Sequence, residues 1–597
     1  MLKVIKRDGK KVNFDETKIY NAVIKAFKDV YPDKDKEDIC IGVAKDLSNS
    51  VKNNITNECL EKNKNEIDIE HIQDLVENFL MDQGYYKVAK AYIKYRYDRE
   101  KAREKNSDFM KAVSEKLMAK NVQNQNANMD EHSFGGRKGE ASNVLMKKYA
   151  LDYCMSNLSR KNHLNNEIYI HDLDSYAIGQ SNCLSIPFDD LLRDGFVTRQ
   201  QDIRPAKSIN SAFQLVAVIF QLQSLQQFGG VSSTHLDWTM VPYVRMSFYK
   251  HFCEGLKYLY DENEYVLALF DKNLSIDSDD YKYFSKAYKY AKDMTTKELN
   301  QAVEGFFHNL NTLQSRSGNQ LPFTSVNYGT CTLPEGRMVI KSLLENAIKG
   351  GGKLHRTYIF PCCIFQCMKG VNRKLGDPNY DLFKLALKST SQRLYPNYAN
   401  VDWSGNEGYD INDPESYFST MGCRTANGYD MNGFKQMKDG RGNICPVTII
   451  MPTLAMETSG EVGHKDVKEF ISILDKKIFE AKEMLEERYH WICSQNPNSA
   501  KFMYMNNVMR GYVPEEGIRS ALKHGTLAMG QLGLAETLQI LIGKNHTTEE
   551  GLSLAKEIEN LFYKRCKEFK HELHKDEDGY EYYLNYGVYY TPECKRA

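Results

Sequence analysis

The chain has 597 residues, and its 79 basic side chains balance its 79 acidic ones, so no bulk field draws it to DNA or to an anionic membrane; any phosphate site has to be local. The opening Met1-Leu2-Lys3-Val4-Ile5-Lys6-Arg7 lacks the apolar stretch of a secretory signal, and no run of about 18 apolar residues suggests a membrane span, so a cytoplasmic location is the expectation. Fourteen cysteines are too sparse here for a disulfide scaffold, and Cys-x-x-Cys does not occur.

Residues 3–14 place Asp8-Gly9 between two short alternating runs, the mark of a tight hairpin whose turn residues take positive φ. Asp15 predicts the cap of a helix carrying Ile19, Val23, Ile24 and Phe27 on one face. Helical patterns follow at about 37–52 and about 68–104, the second with Ile72, Leu75, Val76, Phe79 and Leu80. Lys6, Arg7, Lys10, Lys11 and Lys18 thus gather on the hairpin and first helix, where they could hold a triphosphate, although such a hairpin taken alone is more often a solvated surface. The charged stretch Asp98 to Lys105 leads to a helix start at Asn106-Ser107-Asp108, dividing the chain into domains 1–105 and 106–597.

From there short apolar β-like runs alternate with amphipathic helices, the pattern of an α/β fold. Residues 208–228 predict a core helix ending at Gly229-Gly230, with five glutamines, at 214, 221, 223, 226 and 227, arguing against a membrane segment. A long amphipathic helix is expected over 465–490, and Thr547 with Glu550 has capping-box spacing for another that runs to about 573. Asp578-Gly579 then turns the chain into a Tyr-rich run from Tyr580 to Tyr590.

The cysteines separate by context. Cys362, Cys363 and Cys367 lie in an apolar run and read as small hydrophobes of a buried strand. Cys183 follows the β-like Ile168-Tyr169-Ile170, the polar His171-Asp172-Leu173-Asp174 and a turn. Cys423 sits before the loop-forming Asn427-Gly428-Tyr429-Asp430-Met431-Asn432-Gly433. A thiol at a strand end and one on a loop can face each other across a pocket, although either alone is more often an inert buried thiol.

Read in order, the motifs resemble two known families. The hairpin, Phe14-Asp15 with Lys18-Ile19, Ile72-Gln73-Asp74-Leu75-Val76-Glu77, and Val88-Ala89-Lys90-Ala91-Tyr92-Ile93 with Tyr95-Arg96 together resemble an ATP-cone, the module that binds ATP or dATP and switches a ribonucleotide reductase on or off. Asn126-Ala127-Asn128 with Asp130, Ile170-His171-Asp172-Leu173-Asp174, Asn182-Cys183, Gly376-Asp377-Pro378-Asn379-Tyr380-Asp381, Arg393-Leu394-Tyr395-Pro396, Met421-Gly422-Cys423-Arg424 and Asp439-Gly440-Arg441-Gly442-Asn443 resemble the catalytic subunit of a class III, anaerobic ribonucleoside-triphosphate reductase, a glycyl-radical enzyme.

The resemblance implies a small, mainly helical cone before a ten-stranded α/β barrel of two half-barrels, with Cys423 on a finger loop through its centre. It implies that a glycyl radical oxidises Cys423 to a thiyl, which removes the 3′ hydrogen of the ribose. Cys183 donates hydrogen as the 2′ hydroxyl leaves, formate supplies the electrons, and Asn443 orients the ribose hydroxyls and formate. A carboxamide suits that task because it offers donor and acceptor without a charge that would repel formate. Gln314-Ser315 and Gly318 to Phe323 would line the nucleotide pocket, with Thr591 near a phosphate-binding turn. A homodimer and an iron–sulfur, S-adenosylmethionine-dependent activase are implied as partners.

Members of the family continue past the Tyr-rich run into a four-cysteine zinc site and a radical-bearing glycine, whereas this sequence ends at Glu593-Cys594-Lys595-Arg596-Ala597. The expectation is therefore a reductase interrupted before that segment, inactive alone, with the rest supplied by splicing or by a separate gene. Two alternatives stand beside it. One is a non-catalytic ATP/dATP-binding remnant of the reductase. The other is a glycyl-radical enzyme of formate-lyase type, for which adjacent Cys362-Cys363 is a match.

Overall fold

The computed structural model describes residues 2–6, 10–32, 37–61, 64–105, 108–119, 130, 132–260, 270–314, 320–406, 408–422 and 425–590. Arg7 and Asp8-Gly9 of the hairpin, Asn126-Ala127-Asn128, Ser315, Gly318-Asn319, Cys423-Arg424 and Thr591 fall outside them. By its internal contacts the chain divides into two compact units, Met1–Glu115 and Lys116–Ala597.

In the first unit β1 (Lys3–Ile5) pairs antiparallel with β2 (Lys11–Asn13) and parallel with β3 (Glu66–Asp68). Asp15 caps α1 (Glu16–Val30) as its composition predicts, accepting a hydrogen bond from the Thr17 amide at 3.1 Å. Ile19, Val23 and Phe27 are buried against Val51 and Ile55 of α2 (Glu37–Glu61) and against Ile72, Val76 and Leu80. The single helix expected over 68–104 is instead β3 followed by α3 (Ile69–Asp82) and α4 (Tyr86–Lys105). Asp68 caps the start of α3, and Gly84, at φ 78°, takes a left-handed turn between the two helices. Periodicity alone joined two helices whose apolar stripes face one core.

The second unit is built on a nine-stranded sheet. Its strands are β4 (Ile168–Ile170), β5 (Cys183–Ser185), β6 (Val231–Ser233), β7 (Thr324–Tyr328), β8 (Cys362–Cys367), β9 (Asn397–Asn400), β10 (Gly442–Ile450), β11 (Thr526–Leu532) and β12 (Asn585–Tyr590). They run in the order β9-β8-β7-β6-β5-β10-β11-β12, with β4 also beside β10. All neighbours from β9 to β5 are parallel, as are β10, β11 and β12. The two blocks meet antiparallel where Gly442 and Asn443 pair with Leu184 and Cys183. The α/β class and the joining of two parallel blocks match expectation; among the described residues the sheet has nine strands, eight in one path and β4 beside β10.

Because side chains alternate along a strand, the sheet has two unlike faces. One carries Leu184, Val231, Val326, Phe365, Val447, Ile449, Leu527 and Met529 into the main apolar core, covered by helices such as Val467–Cys493 and Glu549–Phe569. The other is also buried yet polar: Cys183, Ser185, Ser232, Ser325, Asn327, Gln366, Asn443, Thr526 and Asn585.

Three local expectations shift. The helix over 208–228 is Ile209–Ser224, capped by Ser208, so Gly229-Gly230 does not end it. The cap of Glu549–Phe569 is Thr548, whose hydroxyl accepts from the Gly551 amide, while the Thr547 hydroxyl bonds Asn545. The Tyr-rich run becomes a short strand, Glu581–Tyr583, and then β12.

Candidate active site and nucleotide-binding surface

Cys183 opens β5 almost wholly buried. Its thiol donates to Asn182 Oδ1 at 3.3 Å, and its sulfur accepts from the Gly230 amide at 3.2 Å. The glutamines that interrupt the apolar run explain themselves here. Gln227 Nε2 donates to the Asn182 carbonyl at 2.9 Å and the Gly230 carbonyl at 2.8 Å, and Gln223 holds Gln227 in turn. Gly229 makes the approach possible, since a Cβ there would lie 2.0 Å from Asn182 Oδ1 and 2.7 Å from the Cys183 sulfur.

Asn443 lies on β10 directly opposite Cys183. Both ends of its carboxamide are buried and without a hydrogen-bond partner among the described residues. Gly442 allows β10 to come so close, a Cβ there being 2.0 Å from the Cys183 carbonyl oxygen. Of the three residues expected in the chemistry, the structure brings these two together; Cys423 lies outside the described residues.

The segments on either side of Cys423 are held to the polar face. Thr420 is clamped by Asn327, which donates to its carbonyl at 2.9 Å and accepts from its amide at 3.2 Å. Ser232 donates to the same carbonyl at 3.2 Å, and Gln366 to the Phe418 carbonyl at 2.9 Å. The Met421 amide donates to the Thr425 carbonyl at 2.8 Å. Phe323, one of the expected pocket residues, packs beside Gly422 and Gly230. Further along the chain, Asn427 donates to the carbonyls of Lys438 and Arg441. Sequence reasoning missed Ser232, Asn327 and Gln366. Their only signal is polar alternation within strands such as Thr324-Ser325-Val326-Asn327-Tyr328, which ordinarily marks a solvent face.

Charged groups lie under this segment. Thr234 Oγ1 donates to Asp439 Oδ1 at 2.5 Å and lies 2.6 Å from His235 Nδ1, while His235 Nε2 faces Asp189 at 3.3 Å. Burial opposes a charge on His235, yet Asp189 prevails and holds its pKa up to about 10. Burial pushes the Asp439 carboxyl up to about 7. Burial, with Arg441 and Lys570 nearby, brings Lys438 down to about 7; its ammonium donates only to the Asn427 carbonyl and Gln436.

The adjacent cysteines are divided by the pleat. Cys362 pairs with Ser325 on the polar face and Cys363 with Val326 on the apolar one, where burial raises its thiol to about 12. The two thiols therefore face different surroundings on opposite sides of the strand. Among the described residues the one close group of metal-ligand types is Glu486, Glu572 and His574, and Lys482 and Tyr586 already bond its carboxylates.

On the first unit, Lys6, Lys10, Lys11 and Lys18 are exposed. The Lys6 amide donates to the Lys10 carbonyl at 2.9 Å, so both flank the hairpin turn. Lys11 is paired with Glu66 at 2.7 Å, and Lys18 stands 3.8 Å from Asp15. Arg96 is taken up by Glu70, Asp74 and Glu77, fastening α4 to α3.

A buried thiol and a carboxamide without a hydrogen-bond partner among the described residues stand side by side where two parallel half-sheets of an α/β fold join antiparallel. Residues 125–593 match the family described as anaerobic ribonucleoside-triphosphate reductase, and residues 2–101 match the ATP cone domain. The anaerobic ribonucleoside-triphosphate reductase of Haemophilus influenzae is 30% identical over 579 residues, covering 95% of this chain and 75% of the relative. That of Escherichia coli is 28% identical over 596 residues, covering 99% and 76%. A crystal structure of the anaerobic ribonucleotide reductase from Thermotoga maritima, with citrate in its active site, has the same fold at TM-score 0.54 and 15% identity, over 84% of this chain and 83% of that one. The chain belongs to the anaerobic ribonucleoside-triphosphate reductase family. It is an oxidoreductase of anaerobic ribonucleotide reduction, and its cone makes it a binder of nucleotide effectors. No helix among the described residues is long and apolar enough to cross a membrane.

Proposed function

We propose that residues 106–597 reduce ribonucleoside triphosphates to deoxyribonucleoside triphosphates by thiyl chemistry, with Cys423 taking the 3′ hydrogen, Cys183 donating hydrogen as the 2′ hydroxyl leaves as water, and Asn443 orienting ribose and formate. The overall balance is ribonucleotide, formate and a proton giving deoxyribonucleotide, carbon dioxide and water. A glycyl radical, raised by an iron–sulfur, S-adenosylmethionine-dependent activase, supplies the oxidation of the Cys423 thiol. The observation that carries the reading is the Asn443 carboxamide, buried, unpartnered among the described residues and opposite Cys183. Leaving such groups dry costs about 1–3 kcal/mol each, which favours a site for a polar ligand.

The protein's own residues position and exclude. Asn327, Ser232 and Gln366 hold the segment leading to Cys423, and Gly230 with Asn182 fixes the Cys183 thiol from both sides. Near-attack contact and shelter from water are what a thiyl needs. Residues 1–105 serve as the regulatory cone, with Lys6, Arg7, Lys10, Lys11 and Lys18 receiving the triphosphate of ATP or dATP; its two effectors act only if they bind active and inactive assemblies with different affinity. We take the working form to be a homodimer in the cytoplasm, where thiols stay reduced.

The test is deoxynucleotide formation with formate and activase, comparing the full enzyme with Cys423→Ser and Cys183→Ser. Both variants should bind CTP and form no deoxynucleotide. Turnover by Cys423→Ser at the parent rate would sink the mechanism and leave nucleotide binding as the activity.

A further inference from the structure

The polar face holds further groups whose bonding is incomplete among the described residues, the Ser325 hydroxyl and Gln366 Oε1 among them, and one of these stands beside Asn443. The Thr526 hydroxyl is buried and, like the Asn443 carboxamide, has no hydrogen-bond partner among the described residues. Thr526 pairs with Asn443 in the β10–β11 ladder, and Asn443 pairs with Cys183 in the β5–β10 ladder. Paired residues share a face of a sheet, so Cys183, Asn443 and Thr526 form one row across three strands at intervals of about 4.8 Å. The row continues to Asn585 on β12, but that side chain is already spent: its amide donates to Asp430 Oδ1 at 2.8 Å and to the carbonyls of Lys523 and Gly525 at 3.1 and 3.2 Å. The open bonding capacity of the row therefore lies at Asn443 and Thr526.

The threonine is also held in orientation. A Cβ on Gly587, in the next strand, would stand 3.0 Å from the Thr526 methyl carbon, so the missing side chain there leaves that methyl its place. With two heavy substituents on Cβ, packing the methyl fixes where the hydroxyl goes. A hydroxyl is one donor and an acceptor without charge, suited to a sugar hydroxyl and indifferent to a nearby carboxylate.

We propose that Thr526 is a third contact to the substrate ribose, its hydroxyl bonding a ribose hydroxyl on the side of Asn443 away from Cys183. This deepens the reading of the polar face as the substrate site and rests on it. A ribose seated over Asn443 meets the hydrogen-donating thiol on one flank and Thr526 on the other. Thr526 thereby helps set which ribose hydroxyl faces which cysteine.

The experiment is equilibrium dialysis of CTP, 2′-deoxy-CTP and 3′-deoxy-CTP against the full chain, its Thr526→Val and Thr526→Ser variants, and Asn443→Ala, with melting temperatures taken alongside. Thr526→Val, which keeps the shape and loses the hydroxyl, should weaken CTP about tenfold and leave one of the two deoxy analogues unaffected. Thr526→Ser should stay within about threefold of the parent. Equal weakening of all three nucleotides, or no weakening of any, overturns the contact and assigns the hydroxyl to structure or bound water. Failure of the parent chain to bind CTP overturns the substrate site itself. If Asn443→Ala is silent while Thr526→Val discriminates, the role of Asn443 falls and that of Thr526 stands.

Discussion

The two units approach nucleotide chemistry from opposite electrostatic positions. In Met1–Glu115 the candidate ligand groups are lysines on an exposed hairpin and helix, two of them paired with nearby acids at the surface. In Lys116–Ala597 they are a thiol, an amide and a hydroxyl inside a sheet, with the charged groups His235, Lys438 and Asp439 also buried. Water screens the first set, so a cation there can be altered at small cost to the fold and ligand exchange is easy. The second set carries unmet polar groups in a dry place, which strengthens every hydrogen bond to a substrate and makes the fold sensitive to each substitution. An effector sensor and a radical-sheltering site would require those contrasting properties.

The contrast breaks most visibly at the clamp on the finger segment. Asn327→Leu removes both bonds to Thr420, leaving its amide unmet and its carbonyl to Ser232 alone, an expected loss of about 2–4 kcal/mol by denaturant unfolding. Deoxynucleotide formation should fall further than stability, because the thiol is no longer held at the ribose; retention of full turnover would show that the clamp does not position Cys423.

A middle-sized effect concerns pH. The Asp439 carboxyl is raised from 3.8 to about 7, so between those values the unfolded chain gives up a proton that the folded chain keeps. The contribution of this group is fully present below about pH 4 and is lost as the pH rises to about 7. Melting of Asp439→Asn across that window should decline less with rising pH than the parent does. Parallel curves would mean that the carboxyl ionises as an ordinary exposed one.

The smallest effect sharpens the other side. Lys11→Ala gives up an ion pair with Glu66 whose partners are 51% and 37% exposed, and should change stability by less than about 0.5 kcal/mol. Binding of ATP or dATP by the same variant should weaken several-fold. Unchanged effector affinity would remove Lys11 from the cone's site.

Much of the local structure could be read from the chain. Asp15 capping α1, the apolar stripe of Ile19, Val23 and Phe27, the long amphipathic helix now seen as Val467–Cys493, and the buried strand of Cys362, Cys363 and Cys367 all follow from short-range patterns. Harder to read were features whose cause is a distant partner. Glutamines at 223 and 227 look like polar breaks in an apolar run until Gln227 is seen to donate to the Asn182 and Gly230 carbonyls, with Gln223 holding Gln227 in turn. Gly229-Gly230 looks like a helix end, yet its role is to let one strand lie against a thiol. The alternation at Ser325 and Asn327 looks like a wet face, because no pattern along one strand tells whether water or a ligand lies opposite.

By itself the sequence determined the class of the fold, the identity of the family and the two cysteines and one asparagine on which the chemistry is proposed, since these depend on residue types in a fixed order. The tertiary structure alone decided that Cys183, Asn443 and Thr526 stand in one row, that Asn327 holds the segment leading to Cys423, and that Cys362 and Cys363 part company. Strand register is the physical reason. A one-residue slip turns every side chain to the other face, and register is set by pairing between segments up to hundreds of residues apart, about which neither segment carries information on its own.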